Sequence, residues 1–125
     1  MNETTGCACG GAPKLIFACS GAADVGAIAD QAARALTRDG FGKMYCTAGI
    51  GGRISGILAT TASAARILAI DGCPLNCAKC SLEQAGFAAF EHLQLVDLGM
   101  VKGQTPPTPE AIARASAAAA EKLAG

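Results

Sequence analysis

Tryptophan is absent from this sequence, aromatic residues make up only 4% of it, and a single histidine occurs in 125 residues. With so few large rings, a core must be assembled from aliphatic and small side chains, and 28 alanines and 16 glycines are there to supply it. Charge of one sign is lacking too: ten Lys and Arg are balanced by ten Asp and Glu. That balance excludes the clustered basic footprint that nucleic acid requires. No run approaches the ~18 uninterrupted apolar residues of a membrane helix, so no membrane partner is expected. The start, Met1 to Thr5, has neither the basic residues nor the apolar run of a secretory signal. The chain therefore reads as cytoplasmic, where thiols stay reduced. What is present in quantity is apolar residue, 51% of the chain, enough to fold. The length fits one domain, since domains typically hold about 100–150 residues.

Against that background, seven cysteines stand out. An odd number in a reducing compartment argues against a closed disulfide framework and for metal or redox chemistry. Residues 1–13, with Cys7 and Cys9, are Gly-rich and aperiodic and read as a flexible arm; residues 14–125 read as the domain. Within it, short apolar runs alternate with helical periodicity. Leu15–Ala18 is a strand signal, and Val25, Ile28, Ala29, Ala32 and Leu36 repeat at helical spacing from Asp24 to Arg38. Lys43–Cys46 is a second strand, followed by a Gly-rich turn over 49–52 and a helix over about 53–65. Arg66–Ile70 is a third strand, with a helix from Pro74 to Gly86. Leu93–Leu98 is a fourth strand, and Thr108 opens a last, Ala-rich helix. Such alternation implies parallel strands joined by crossover helices. The expected fold is an α/β three-layer sandwich with a four-stranded parallel sheet and Rossmann-like βα repeats.

Cys19, Cys46 and Cys73 recur at intervals of 27 residues, one strand–helix unit. Each then ends a successive strand, and the carboxyl ends of a parallel sheet share the edge where such folds place their sites. A further 27 residues lead to Met100, a thioether at the analogous place. A free cysteine by itself is as often a small buried apolar residue as a ligand; three in register weigh against that. Cys77 joins them from a helix start, where backbone N–H groups favour a thiolate. Four thiolates describe a closed zinc site, with Cys19, Cys46, Cys73 and Cys77 the preferred set and Cys80, one turn on, an alternative ligand. Soft thiolates suit an iron–sulfur cluster as well. Asp71 either bonds its own turn or accepts N–H groups of the neighbouring loop and orients a thiolate. Lys43, Arg53 or Lys79 would offset the charge of an all-thiolate site. His92 opens the fourth strand and is expected at the opposite edge of the sheet, as a surface residue. No general base is then near the thiols, and the reading leans away from an enzyme. The alternative is a thiol-based redox or sulfur-carrying protein acting through Cys19 or Cys77.

Two other patterns fail on their residues. Gly49, Gly51 and Gly52 suggest a dinucleotide loop, but Ile54 stands where its third glycine is required. The spacing of Gly51 and Gly56 fits a phosphate loop, but Ile57-Leu58 replaces the Lys-Ser/Thr pair. Cys73, Cys77 and Cys80 also form a C-x3-C-x2-C pattern, that of radical S-adenosylmethionine enzymes, but after the third strand of a small domain rather than the first of a barrel.

Cys19-Ser20-Gly21-Ala22, Lys43-Met44-Tyr45-Cys46, Ala48 to Gly52 and Ile70-Asp71-Gly72-Cys73-Pro74-Leu75-Asn76-Cys77 resemble the DGC-domain family, over about Leu15 to Leu98. The resemblance implies zinc binding by four cysteines, which here are Cys19, Cys46, Cys73 and Cys77. Cys7, Cys9 and Cys80 lie outside the family's pattern. The expected role is metal binding, with sensing or delivery of the ion. The metal ion is the one partner the residues indicate, and a homo-oligomer in which two chains share a site is left open.

Overall fold

Four strands, β1 (Lys14–Ala18), β2 (Lys43–Met44), β3 (Arg66–Asp71) and β4 (Glu91–Gln94), pair in the order β2-β1-β3-β4. Every pairing is parallel. The structure, a computed structural model, describes residues 12–124. Cys7 and Cys9, and with them most of the expected N-terminal arm, lie outside the described residues.

Alternation along β1 divides the core in two. Ile16 and Ala18 face helices α1 (Asp24–Arg38) and α5 (Pro109–Ala124), which bury Ile28, Leu36, Ala115 and Leu123. Leu15 and Phe17 face the other way, towards α2 (Thr47–Gly51), α3 (Ser55–Ala62) and α4 (Cys77–Gln84). The central strands are thus covered on both faces, which is why they lack polar alternation. The result is the expected α/β sandwich, with helices on both faces of a four-stranded parallel sheet. Alanine at Ala29, Ala32 and Ala33 of α1, all fully buried, lets that helix approach closely without large side chains. At the amino edge, Lys14 Nζ and Arg66 Nε donate to the carbonyls of Leu123 and Lys122 (2.8 and 2.9 Å), closing the C-terminal end of α5. No helix among the described residues is long and apolar enough to cross a membrane.

The order 2-1-3-4 matches the first four strands of flavodoxin-type doubly wound sheets, in which the strand order reverses between β1 and β3. A crevice at the carboxyl ends of those two strands is the usual ligand position in such sheets. Here Cys19 directly follows β1, and Cys73 lies two residues beyond β3.

Several boundaries differ from the sequence reading. The Gly-rich turn expected at 49–52 is largely the one-turn helix α2, started by Cys46, whose Sγ accepts the Gly49 N–H at 3.3 Å. The helix after Pro74 begins three residues later, at Cys77, because Asn76 adopts a left-handed conformation (φ 56°). The fourth strand runs over Glu91–Gln94, and Leu95–Leu98 is a 3-10 helix. There the Gln94 side chain accepts the Val96 N–H and Gly99 (φ 80°) ends the turn, so the apolar run that read as a strand curls away. Met100, expected near the thiols, is fully buried in the core on the α1 and α5 face.

Asp24 fastens the far loop to α1. Its carboxylate accepts the N–H groups of Gly103 (2.9 Å) and Thr105 (3.1 Å), and that of Val25. These bonds, led by that of Gly103, hold its carboxyl below the ordinary carboxylate range despite some opposing desolvation. A carboxyl whose pKa is lowered by folding stabilises the protein above its unfolded pKa, and that stabilisation fades as pH falls through the lowered folded value. Asp24→Asn should therefore flatten the acid limb of the stability–pH curve below about pH 4, as read by urea unfolding at a series of pH values. An unchanged acid limb would show that the loop tie contributes nothing.

Candidate functional site

Strand ends bring four thiols to one edge. A cleft of about 1030 Å³ is bounded by α1, the segment Met44–Ala48 and α4, and Cys19, Cys46 and Cys77 line it. A second cavity, of about 460 Å³, lies between the β1–α1 loop and the β3–α4 loop; Cys19, Cys73 and Cys77 line that one. Cys19 and Cys77 thus form the wall between the two spaces. Cys19 and Cys73 are half-buried, whereas Cys46, Cys77 and Cys80 are exposed. Two of the sulfurs already accept backbone N–H bonds: Cys19 from Gly72 at 3.4 Å, and Cys46 from Gly49 at 3.3 Å.

The loops that carry these thiols are tightly specified. Gly72 sits where a Cβ would lie 2.5 Å from the backbone carbon and oxygen of Val25, so the β3–α4 loop can touch α1 only without a side chain. Ser20, directly after Cys19, and Asn76, directly before Cys77, both have positive φ (51° and 56°). Left-handed backbone at non-glycine residues costs free energy and gathers at functional sites. Ser20 is held by a hydrogen bond from its hydroxyl to Asp30 (2.9 Å). Gln94 of β4 reaches across to donate to the Cys73 carbonyl (3.0 Å) and to the side-chain oxygen of Asn76, fixing the loop from the opposite side.

Asp71 is the polar centre of this arrangement. It ends β3, is 1% exposed, and accepts the N–H groups of Ala78 (2.8 Å) and Lys79 (3.0 Å) at the start of α4. These donors lie at the end of the connection that Asp71 itself opens, in the first turn of α4, and not in a neighbouring loop. Its Oδ2 also accepts from His92 Nε2 at 2.8 Å. This corrects the placement of His92. The register sets Glu91 beside Leu68 and His92 beside Ala69, well along β3 rather than at its start. His92 and Gln94, two residues apart, share one face of β4 and both turn towards the β3–α4 segment, with Leu93 and Leu95 on the core face.

The carboxylate also changes the electrostatics of Cys77. A helix start by itself favours a thiolate, but here Asp71 has taken its free N–H groups and added a negative charge. Partial desolvation first, then Asp71, Cys73, Cys19 and Cys80, push the Cys77 thiol above its ordinary value. These are the surroundings of a group that a cation would relieve. Among the described residues, no three Cys, His, Asp or Glu side chains stand close enough together to hold an ion as they are placed. The thiols are soft donors of the kind zinc takes, and they share one edge of the sheet.

Of the expected counter-charges, Lys79 stands in the first turn of α4, two residues after Cys77, and the other two fall elsewhere. Lys43 lines a separate hollow with Lys14 at the amino edge, and Arg53 donates to the carbonyls of Ile50 and Gly51. The cations that do line the two spaces are Arg34 and Arg38 in the large cleft, and Lys102 in the smaller. Arg34 is paired with Asp30 at 2.8 Å. Sequence spacing offered no signal for these three, because they come from the outer face of α1 and from a loop.

Comparison with known proteins gives the family. The model of the DGC domain matches residues 15–119. A curated protein of Pseudomonas aeruginosa, the anaerobic and virulence modulator AnvM, is 38% identical over 88 residues, which are 70% of this chain and 67% of the relative. No solved structure matches.

Proposed function

The chain belongs to the DGC-domain family, and from that premise we propose that it binds one soft divalent ion, zinc in the first instance, through Cys19, Cys46, Cys73 and Cys77. The observation that carries the reading is that four thiols from three chain segments (Cys19, Cys46, and Cys73 with Cys77) border two adjoining cavities at the carboxyl edge of the sheet, with Cys19 and Cys77 common to both. Thiolate is the donor that zinc takes in closed four-coordinate sites, and the sulfurs of Cys19 and Cys46 have N–H partners suited to a charged ligand. Asp71 would act through α4, holding the backbone of Cys77 while that sulfur binds. The relative's name describes a modulator. Carried over as part of this proposal, that word suits a protein that senses or delivers an ion rather than one that turns over a substrate.

Elemental analysis and thiol titration of the anaerobically purified chain test the reading together. The expected result is about one zinc per chain, as in closed four-thiolate sites, with Cys7, Cys9 and Cys80 reacting quickly and the other four cysteines shielded. Serine at Cys46 or Cys77 should release the metal while leaving the fold, since both residues are exposed. Iron with acid-labile sulfide would replace zinc by a cluster on the same thiols. Wild-type metal content in all four serine variants would refute the site.

A further inference from the structure

Cys80 lines neither cavity, yet it stands one helical turn from Cys77, one of the two thiols that border both. Cys77 is the first residue of α4 and Cys80 the fourth, a C-x-x-C pair on one face of a helix start. Three residues along an α-helix separate Cα atoms by about 5 Å, inside the range of about 4.4–6.8 Å that a disulfide spans. The Cys80 thiol is directed back towards the loop that precedes Cys77, with the Leu75 carbonyl as its partner at 3.8 Å. Both thiols are exposed. Cys77 follows the left-handed Asn76, so the pair stands at the very start of α4.

We infer that Cys77 and Cys80 form a reversible disulfide by exchange with a low-molecular-weight disulfide. The Cys77 thiolate, its proton released to water, attacks one sulfur of the small disulfide. A Cys77 mixed disulfide forms and one small thiolate leaves. The Cys80 thiolate, its proton likewise released, then attacks the Cys77 sulfur, and the second small thiolate departs. The two departing thiolates take up two protons. In balance, two protein thiols are oxidised to one disulfide and one small disulfide is reduced to two thiols. The pair does not depend on the metal; where Cys77 is a metal ligand, the same exchange withdraws it and opens the site.

The test exposes reduced, metal-free chain to rising ratios of oxidised to reduced glutathione, traps free thiols by alkylation, and maps the peptides by mass. The expected product links Cys77 to Cys80 with the loss of two hydrogens, while Cys80→Ser accumulates a stable glutathione adduct on Cys77 instead. Zinc-loaded chain should form the link more slowly, on the order of tenfold or more, because a metal-bound thiolate is withheld from exchange. A wild-type adduct as persistent as that of Cys80→Ser would overturn the inference, as would a disulfide among Cys19, Cys46 and Cys73 with Cys80 left free. Formation of the link in a chain that binds no zinc, or at a rate that zinc leaves unchanged, would uphold the pair and remove Cys77 from the proposed metal site.

Discussion

Asp71→Ala should destabilise the fold by about 3 kcal/mol or more, enough to lower the unfolding temperature by on the order of 10 °C. The side chain is almost wholly buried and serves three donors at once: two N–H groups of α4 and the His92 ring. Alanine leaves all three without that partner at a buried or half-buried position, and unsatisfied buried donors cost more than the bonds themselves contribute. Asp71→Asn keeps one acceptor oxygen and the shape, so it should fold with a smaller loss. If Asp71 positions Cys77, that variant should still lower metal affinity by about 10–100-fold, the usual effect of removing a group that orients a ligand. A folded Asn variant with undiminished metal affinity would reduce Asp71 to a structural residue.

Gly72→Ala should cost at least about 2 kcal/mol, within the range for overpacked interiors. The added methyl would meet backbone atoms of Val25 at 2.5 Å, and backbone cannot rotate aside as a side chain can. Either α1 retreats or the loop carrying Cys73 lifts. In both cases the Gly72 N–H to Cys19 Sγ bond is strained or lost. Gly56, in the first turn of α3, provides the contrast. No atom lies within 4 Å of a Cβ built there. Gly56→Ala should therefore stabilise by about 0.5–1 kcal/mol, the ordinary helical preference for alanine. Two glycine-to-alanine changes of opposite sign, measured by chemical denaturation, separate close approach from general intolerance. Equal and small effects at both positions would contradict the packing described for the β3–α4 loop.

How far the sequence could be read depended on which physical signal each residue carries. The recurrence of Cys19, Cys46 and Cys73 was legible because one crossover and one strand occupy the same length each time, though the crossover is α1 alone in the first interval and α2 with α3 in the second; in a parallel sheet that regularity becomes a shared edge. The same rule failed at Met100, because the fourth repeat does not continue as a strand: Gln94 bonds its own backbone and the chain turns into the core. His92 was misplaced because the starting point of a strand says nothing about its register. Pairing of Glu91 with Leu68 carries the ring to the carboxyl half of β3. The alternation His92-Leu93-Gln94-Leu95 was the one available hint that two polar side chains face an element other than the core.

Cys77 was read from the helix start alone, which favours a thiolate. The competing group, Asp71, is six residues earlier and reaches that helix start only through the fold. Ser20 carries almost no sequence signal for its left-handed backbone. Asn76 carries a weak one, since asparagine adopts that conformation more readily than most residues. These two positions and Gly72 together determine where three of the four thiols stand.

Zinc K-edge absorption on the zinc-loaded, reduced chain is the decisive test of the four-thiolate site, because it reads the donors themselves. Four sulfur neighbours at about 2.3 Å are expected, with no nitrogen or oxygen in the first coordination shell. Loss of one sulfur, and its replacement by a lighter donor, should follow serine substitution at Cys46. A native spectrum dominated by nitrogen or oxygen neighbours, or one unchanged by serine at any of Cys19, Cys46, Cys73 and Cys77, would contradict that site.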